Sequence, residues 1–152
     1  MVKLHGKLGC DNLELIMENG ELKRDNVIVD KSFAFAVRVV KLYKYLSDEK
    51  KEFILSKQLL RSGTSIGANV NEAQDGQSTN DFIAKLSISL KEARESKYWI
   101  ELLIATDFLN SKDKHTQSMI NDIEELIKLL TSIIKTTKAN QMNGKFKMEN
   151  GK

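Results

Sequence analysis

Apolar residues recur at helical steps along most of this chain. The stretch "KSFAFAVRVVKLYKYL" carries two stripes, Phe33, Val37 and Val40 on one and Phe35, Val39, Leu42 and Leu46 on the other. Steps of three and four residues place side chains on one helix face. Two stripes make a wider apolar face than a single helix–helix seam needs. A helix over 30–46 follows, with Asp30 as its cap. "SDEKKEF" restarts a helix over 49–75, with Ser47 or Asp48 as cap and acids in the first turn, where the helix dipole favours them. It carries Phe53, Leu55, Leu59, Ile66, Val70 and Ala73, and ends near Gly76, a helix-terminating glycine. Ser78, with Asp81 three residues on, opens a third helix over 79–110, about 45 Å long. "SKDKHT" reads as a turn. In the fourth helix, 116–138, Ile120, Ile123, Ile127, Leu130 and Ile134 alternate steps of three and four, a coiled-coil-like seam that Leu126 and Ile133 widen.

Four amphipathic helices joined by short links predict an all-α fold, an antiparallel up-down-up-down four-helix bundle over 30–138. The absence of proline suits long uninterrupted helices. Residues 1–29 are glycine-dotted and mixed in charge, and read as a weakly ordered extension in which Met17 could be the true start. Residues 139–152 lack periodicity and read as a flexible basic tail.

"QLLRSGTSIGANVNEAQ", residues 58–74, raises a question of chemistry. A phosphate-cradling loop needs a preceding strand and a Gly-Lys-Ser/Thr ending, and "GTSIGAN" has neither. Gly63 and Gly67 are four residues apart and so share one helix face. Each glycine costs about 1 kcal/mol against alanine inside a helix, so two of them point to a close approach of another backbone. Beside them Ser62, Ser65, Asn69 and Glu72 fall at three- and four-residue steps, as do Ser89, Glu92 and Ser96 farther on. A partly buried polar layer that sets helix register is favoured over a binding or catalytic cluster.

This order of residues resembles the bacterial four-helix-bundle proteins of the 23S rRNA intervening-sequence type. The resemblance rests on "NVIVDKS", "LSKQLLRSGTSIGANVNEAQ", "STNDFIAKLSISLKEARESKYWIELL" and "ELIKLLTSIIKTTK", and covers about residues 26–138. Its middle is specific, because the spacings Arg61-Ser62…Ser65-Ile66…Asn69…Glu72 and Phe82…Lys85-Leu86…Glu92…Glu95…Trp99 occur together. The resemblance implies an up-down-up-down bundle that assembles as a pentameric ring. A related branch, the accessory variability proteins of diversity-generating retroelements, works with a reverse transcriptase and binds nucleic acid. By that resemblance the partners are further copies of the chain, RNA or DNA, and a reverse transcriptase or other nucleic-acid machine.

Catalysis is not expected, and neither is a metal or cofactor. A di-iron bundle needs Glu-x-x-His pairs, and His5 and His115 are the two histidines present. Cys10, the single cysteine, cannot form an intrachain disulfide and suits a reducing cytoplasm. The N-terminal stretch lacks the continuous apolar core of a secretory signal, and no stretch approaches the roughly 18 apolar residues of a membrane span.

Net charge is +3, distributed as −2 over residues 1–30, +3 over 31–138 and +2 over 139–152. That balance permits nucleic-acid binding without demanding it. The candidates for phosphate contact are Lys41, Lys44, Arg61, Lys85, Lys91, Arg94 and Lys97, although Lys91 can also pair with Glu95 on its own helix. Tyr98 and Trp99 could stack on bases. Packing is favoured for Trp99. The residues expected to act in structure or at a subunit interface are Ser62, Gly63, Ser65, Gly67, Asn69, Glu72, Glu92, Glu95 and Trp99. Two function classes stay open: a homo-oligomeric nucleic-acid-binding accessory protein, and a protein-interaction scaffold whose charge only solubilises it.

Overall fold

The computed structural model describes residues 15–18, 21–24 and 26–150, with side chains from Asn26 to Gly144 and at Phe146. The expectations for His5 and Cys10 lie outside the described residues. The body is four helices, α1 (Val27–Asp48), α2 (Leu55–Gln74), α3 (Thr79–Ala105) and α4 (Lys114–Asn150). Ahead of them stand two strands, β1 (Leu15–Glu18) and β2 (Glu21–Arg24), paired antiparallel with Leu15 opposite Arg24. This hairpin falls where weak order was expected. Its signal was Asn19-Gly20, the dipeptide that most favours a tight reversal between strands.

Each helix packs on its neighbours in sequence, and α1 closes against α4. α1 and α3 face each other across the bundle without backbone contact, as do α2 and α4. In every neighbouring pair, rising residue numbers on one helix meet falling numbers on the other. Ser62 meets Ser96 and Glu72 meets Lys85 between α2 and α3. Lys97 meets Glu124 and Asn80 meets Gln141 between α3 and α4.

The core follows from seven-residue spacing. Val39 and Leu46 on α1, Leu59, Ile66 and Ala73 on α2, and Leu86, Ala93 and Ile100 on α3 are all buried. α4 contributes Met119, Ile123, Leu126, Leu130 and Ile134, while Ile120, Ile127 and Ile133 of the expected seam flank it half-buried. A repeat of seven keeps one face turned inward along the whole length of packed helices. Of the two stripes on α1, the one bearing Phe35, Val39 and Leu46 is buried. The other is turned outward, with Phe33 65% exposed, Val37 38% and Val40 37%.

The glycines of α2 are used within the chain. A Cβ on Gly63 would come within 2.8 Å of Val39 Cγ2, and one on Gly67 within 3.4 Å of the Ser32 carbonyl oxygen. α1 therefore lies against α2 more closely than any larger residue at 63 allows.

Several boundaries differ from expectation, each for a local reason. α1 begins at Val27, where the Asn26 carbonyl accepts from the Val29 and Asp30 amides, so Asp30 sits in the first turn and not at the cap. α1 also runs on through Asp48, and α2 starts six residues later than expected from its predicted start at 49. Neither Ser47 nor Asp48 caps it. The Glu52 carboxylate does, accepting from the backbone N–H of Ile54 (3.0 Å), Leu55 (2.8 Å) and Ser56 (2.7 Å). Between the helices Lys51 adopts a left-handed backbone, φ 53°, while the Glu52 amide reaches back to the Leu46 carbonyl. α2 does end before Gly76, whose small size admits the Ala73 carbonyl and Phe82 amide close by. Ser78 caps α3 as expected, its hydroxyl accepting from the Asp81 amide at 3.1 Å. α3 stops at Ala105 rather than 110, because Asp107, φ 63°, turns the chain while the amides of Phe108 and Leu109 return to the Leu103 carbonyl. α4 continues to Asn150 through the stretch expected to be a loose tail.

Burial alone would push the Glu52 carboxyl up, but its backbone hydrogen bonds and the Ser56 hydroxyl together hold it below the usual carboxylate range. A carboxylate whose folded pKa is depressed stabilises above its unfolded pKa, and that contribution is lost as pH falls through the folded value. Glu52→Gln should therefore lose about 1 kcal/mol at neutral pH. The gap from the native protein should narrow below the ordinary carboxylate pKa of about 4.3. Urea melts at the two pH values measure both.

The two glycines should respond differently. Val39 is β-branched and held at χ1, so Gly63→Ala overpacks by about 1–3 kcal/mol against about 1 gained in helix propensity. Gly67→Ala meets ordinary contact distances and should be neutral or stabilising by up to about 1 kcal/mol. Urea midpoints of the two variants test the contrast.

Candidate nucleic-acid interface

Three of the seven candidate cations are engaged within the bundle. Arg61 Nη2 lies 2.9 Å from Glu95 Oε1, which also accepts from Trp99 Nε1. Lys85 pairs with Glu72. Lys97 Nζ lies 2.8 Å from Glu124 Oε1 and 3.8 Å from Glu101 Oε1. The hydrogen bond to Glu124 raises the Lys97 pKa, and the same bond lowers that of Glu124. On the α1–α4 seam Lys31 pairs with Glu125, and Arg38 pairs with Asp122 while donating to Ser118 Oγ and the His115 carbonyl. Exposed pairs of this kind are worth about 0–1 kcal/mol each. Among the described residues the α1–α2 seam carries no ion pair; the Asn26 side-chain amide donates to Gln74 Oε1 at its end.

Lys41, Lys44, Lys91 and Arg94 are exposed and outside any ion pair among the described residues. They do not form one surface, because the first two lie on α1 and the others on α3, across the bundle. Glu95 pairs with Arg61 and not with Lys91.

The polar set between α2 and α3 is a register layer. Ser62, Ser89 and Ser96 are fully buried. Ser89 Oγ donates to the Ile66 carbonyl at 3.0 Å, crossing from α3 to α2. The Ser96 and Ser62 hydroxyls lie 2.9 Å apart. Ser65 and Asn69 bond to carbonyls one turn back, Arg61 and Ser65 respectively. Buried polar groups must find partners, and the Ser89–Ile66 and Ser62–Ser96 contacts form at one alignment of the two helices. Glu92 Oε2 is the exception, buried without a hydrogen-bond partner. Trp99 packs half-buried on the core, edge-on to Tyr98 at 5.0 Å, and Tyr98 is exposed.

Three lysines that the sequence reading passed over, Lys50, Lys51 and Lys57, are also exposed and outside ion pairs among the described residues. Their signal was visible in "KLYKYLSDEKKEFILSK", where lysines alternate with aromatic and aliphatic residues. Assigning residues 49–54 to helix hid the link that displays them.

A cavity of about 140 Å³ between α1 and α4 is lined by Lys31, Ala34, Asp122, Glu125 and Leu126. Small-molecule sites run to roughly 300–1,000 Å³. Among the described residues no three His, Cys, Asp or Glu side chains gather as a metal site would require, and no helix is long and apolar enough to cross a membrane.

The class these features define is a small all-α four-helix bundle, its seams tied by serines and ion pairs and its loose cations on the surface. Residues 24–132 match the family model of the 23S rRNA-intervening sequence protein, and the chain belongs to that family. Among solved structures it is similar to a protein of unknown function from the S23 ribosomal protein family of Bacteroides thetaiotaomicron VPI-5482. The two are 58% identical, with a TM-score of 0.70 over 73% of this chain and 97% of the other. No curated protein matches the chain.

Proposed function

We propose that the chain is a non-enzymatic, homo-oligomeric nucleic-acid-binding accessory protein of the cytoplasm. The observation that carries this reading is the division among its cations. Those on the seams are paired, whereas Lys41, Lys44, Lys91 and Arg94 stand exposed with no acid bound to them. Unpaired surface cations are what a phosphate backbone neutralises. The partner machine, a reverse transcriptase or another nucleic-acid enzyme, follows from the family resemblance.

The reading includes an up-down-up-down course, supported by the opposed numbering at each seam, and assembly into a ring. The support for assembly is the outward stripe of Phe33, Val37 and Val40 on α1, an apolar face of the kind a subunit contact covers. The glycines of α2 no longer argue for it, since α1 of the same chain fills them. Five subunits are taken from the resemblance, and five copies would carry about +15 if formal charges hold. The same stripe also favours a second reading, a scaffold that binds proteins and no nucleic acid.

Titration of labelled RNA and DNA at two salt concentrations separates the readings. Binding should weaken steeply with salt through counterion release. Reversing Lys41 and Lys44 to Glu should weaken binding and flatten the salt slope. A wild-type protein that binds neither nucleic acid at low salt leaves the scaffold. For assembly, light scattering should report a multiple of the 17.3 kDa chain mass that Phe33→Asp reduces. A monomeric wild type rejects the ring.

A further inference from the structure

We propose that the end of the bundle at the α1–α2 link is a surface for single-stranded nucleic acid, with Tyr45 and Phe53 as base-stacking platforms and Lys50, Lys51 and Lys57 as phosphate contacts. This rests on the nucleic-acid reading above and assigns it a place and a strandedness.

Cations gather at this end. Residues 41–57 hold five lysines, Lys41, Lys44, Lys50, Lys51 and Lys57, all exposed and none in an ion pair among the described residues. Three acids share the segment. Glu52 is turned inward, its carboxylate occupied by three backbone amides, which leaves Asp48 and Glu49 facing water. The cations that lie on helix seams, Lys31, Arg38, Arg61, Lys85 and Lys97, are paired there. Here Lys50 and Lys51 stand in the link itself, with Lys44 on the last turns of α1 and Lys57 in the first turn of α2.

The aromatic residues are exposed at the same end. Phe53 is 55% exposed, Tyr45 45% and Ile54 75%. The Glu52 cap fixes this: the residue that turns inward is the acid, and the two that follow are left outside the core. Lys50 Nζ stands 6.0 Å from the centroid of the Tyr45 ring, so charge and aromatic face are adjacent. Alternating aromatic faces and loose cations match a single strand, whose unpaired bases offer stacking faces between phosphates. A duplex hides those faces and offers phosphates alone.

Lys51 is a separate observation. Its φ of 53° lies in the left-handed region, which glycine occupies without strain and lysine does not. The link holds that backbone at an exposed cation, so charge and chain reversal coincide at one residue. Glycine there would relax the link and remove the charge together.

The test uses the full chain and labelled oligouridine, oligothymidine and a blunt RNA duplex, by fluorescence anisotropy at two salt concentrations. Wild type should bind the single strands more tightly than the duplex, and the two oligonucleotides report whether ribose or deoxyribose is preferred. Phe53→Ala should weaken single-strand binding by roughly 5- to 150-fold with the salt slope unchanged, since stacking releases no counterions. Lys51→Gly should weaken binding and lower the slope by about 0.7, one phosphate's share, while melting at or above wild type. A loss of binding in a protein of unimpaired stability cannot be ascribed to unfolding. If wild type binds but neither variant changes it, the surface is elsewhere and only this proposal falls. If the duplex binds as tightly as the single strands, the stacking role is overturned. If wild type binds nothing at low salt, the nucleic-acid reading falls with it, and the exposed Phe53 and Ile54 become a protein-docking site.

Discussion

The closeness of α1 to α2 at Gly63 is the constraint from which the arrangement of this bundle follows. Val39 packs where a Cβ at position 63 would stand, and the Ser32 backbone covers Gly67 one turn on. With two helices locked at this separation, the rotation of α1 about its axis is decided. Phe35, Val39 and Leu46 must face the core, and Phe33, Val37 and Val40 must face out. The exposed stripe is a consequence of which α1 residue meets the glycines. The other seams are bridged by Arg61–Glu95, Lys97–Glu124 and Lys31–Glu125.

A second constraint acts along the α2–α3 seam. Serine hydroxyls at 62, 89 and 96 are buried; Ser62 and Ser96 meet each other and also bond carbonyls of their own helices, whereas Ser89 bonds across to the Ile66 carbonyl. A shift by one turn would break the Ser62–Ser96 contact and take Ser89 from its partner, and an orphaned buried group costs about 1–3 kcal/mol. The hydrophobic seam tolerates sliding better than these hydroxyls do, because apolar contact is non-directional. The layer therefore supplies register where the heptads supply affinity. At the end of the pair, Glu52 and Lys51 close the α1–α2 link, one by filling the open amides of α2 and the other by reversing the chain.

Helix number, order and most inward faces were legible in the residue pattern, because helical spacing reports burial; Phe53, read as part of the α2 stripe, instead lies in the link and is exposed. The close packing of Gly63 and Gly67 was legible for the same reason, since glycine inside a helix needs a cause. The links were less legible. Glu52 caps from outside the usual Ser, Thr, Asp and Asn set, so the acids of "SDEKKEF" looked like a first helical turn. Asp107 adopts a left-handed backbone that only the surrounding chain selects. The helical course of residues 139–150 carried no apolar stripe to announce it. Among the site residues, charge was legible and partnership was not. Arg61, Lys85 and Lys97 look like free cations in a string of letters, and only the approach of neighbouring helices brings Glu95, Glu72 and Glu124 to them.

Membership in the 23S rRNA-intervening sequence family covers residues 24–132, the first three helices and half of α4. The proposed binding end lies inside that span. The central claim is that the seam cations are occupied by acids of the bundle while the unpaired ones at the α1–α2 end meet nucleic acid. Photo-crosslinking of the wild-type protein to oligouridine, followed by mass-spectrometric mapping of the modified peptides, tests this most directly. The account predicts adducts within residues 41–57, centred on Tyr45 and Phe53. Adducts confined to α3 around Lys91 and Arg94, or to α4, would contradict it.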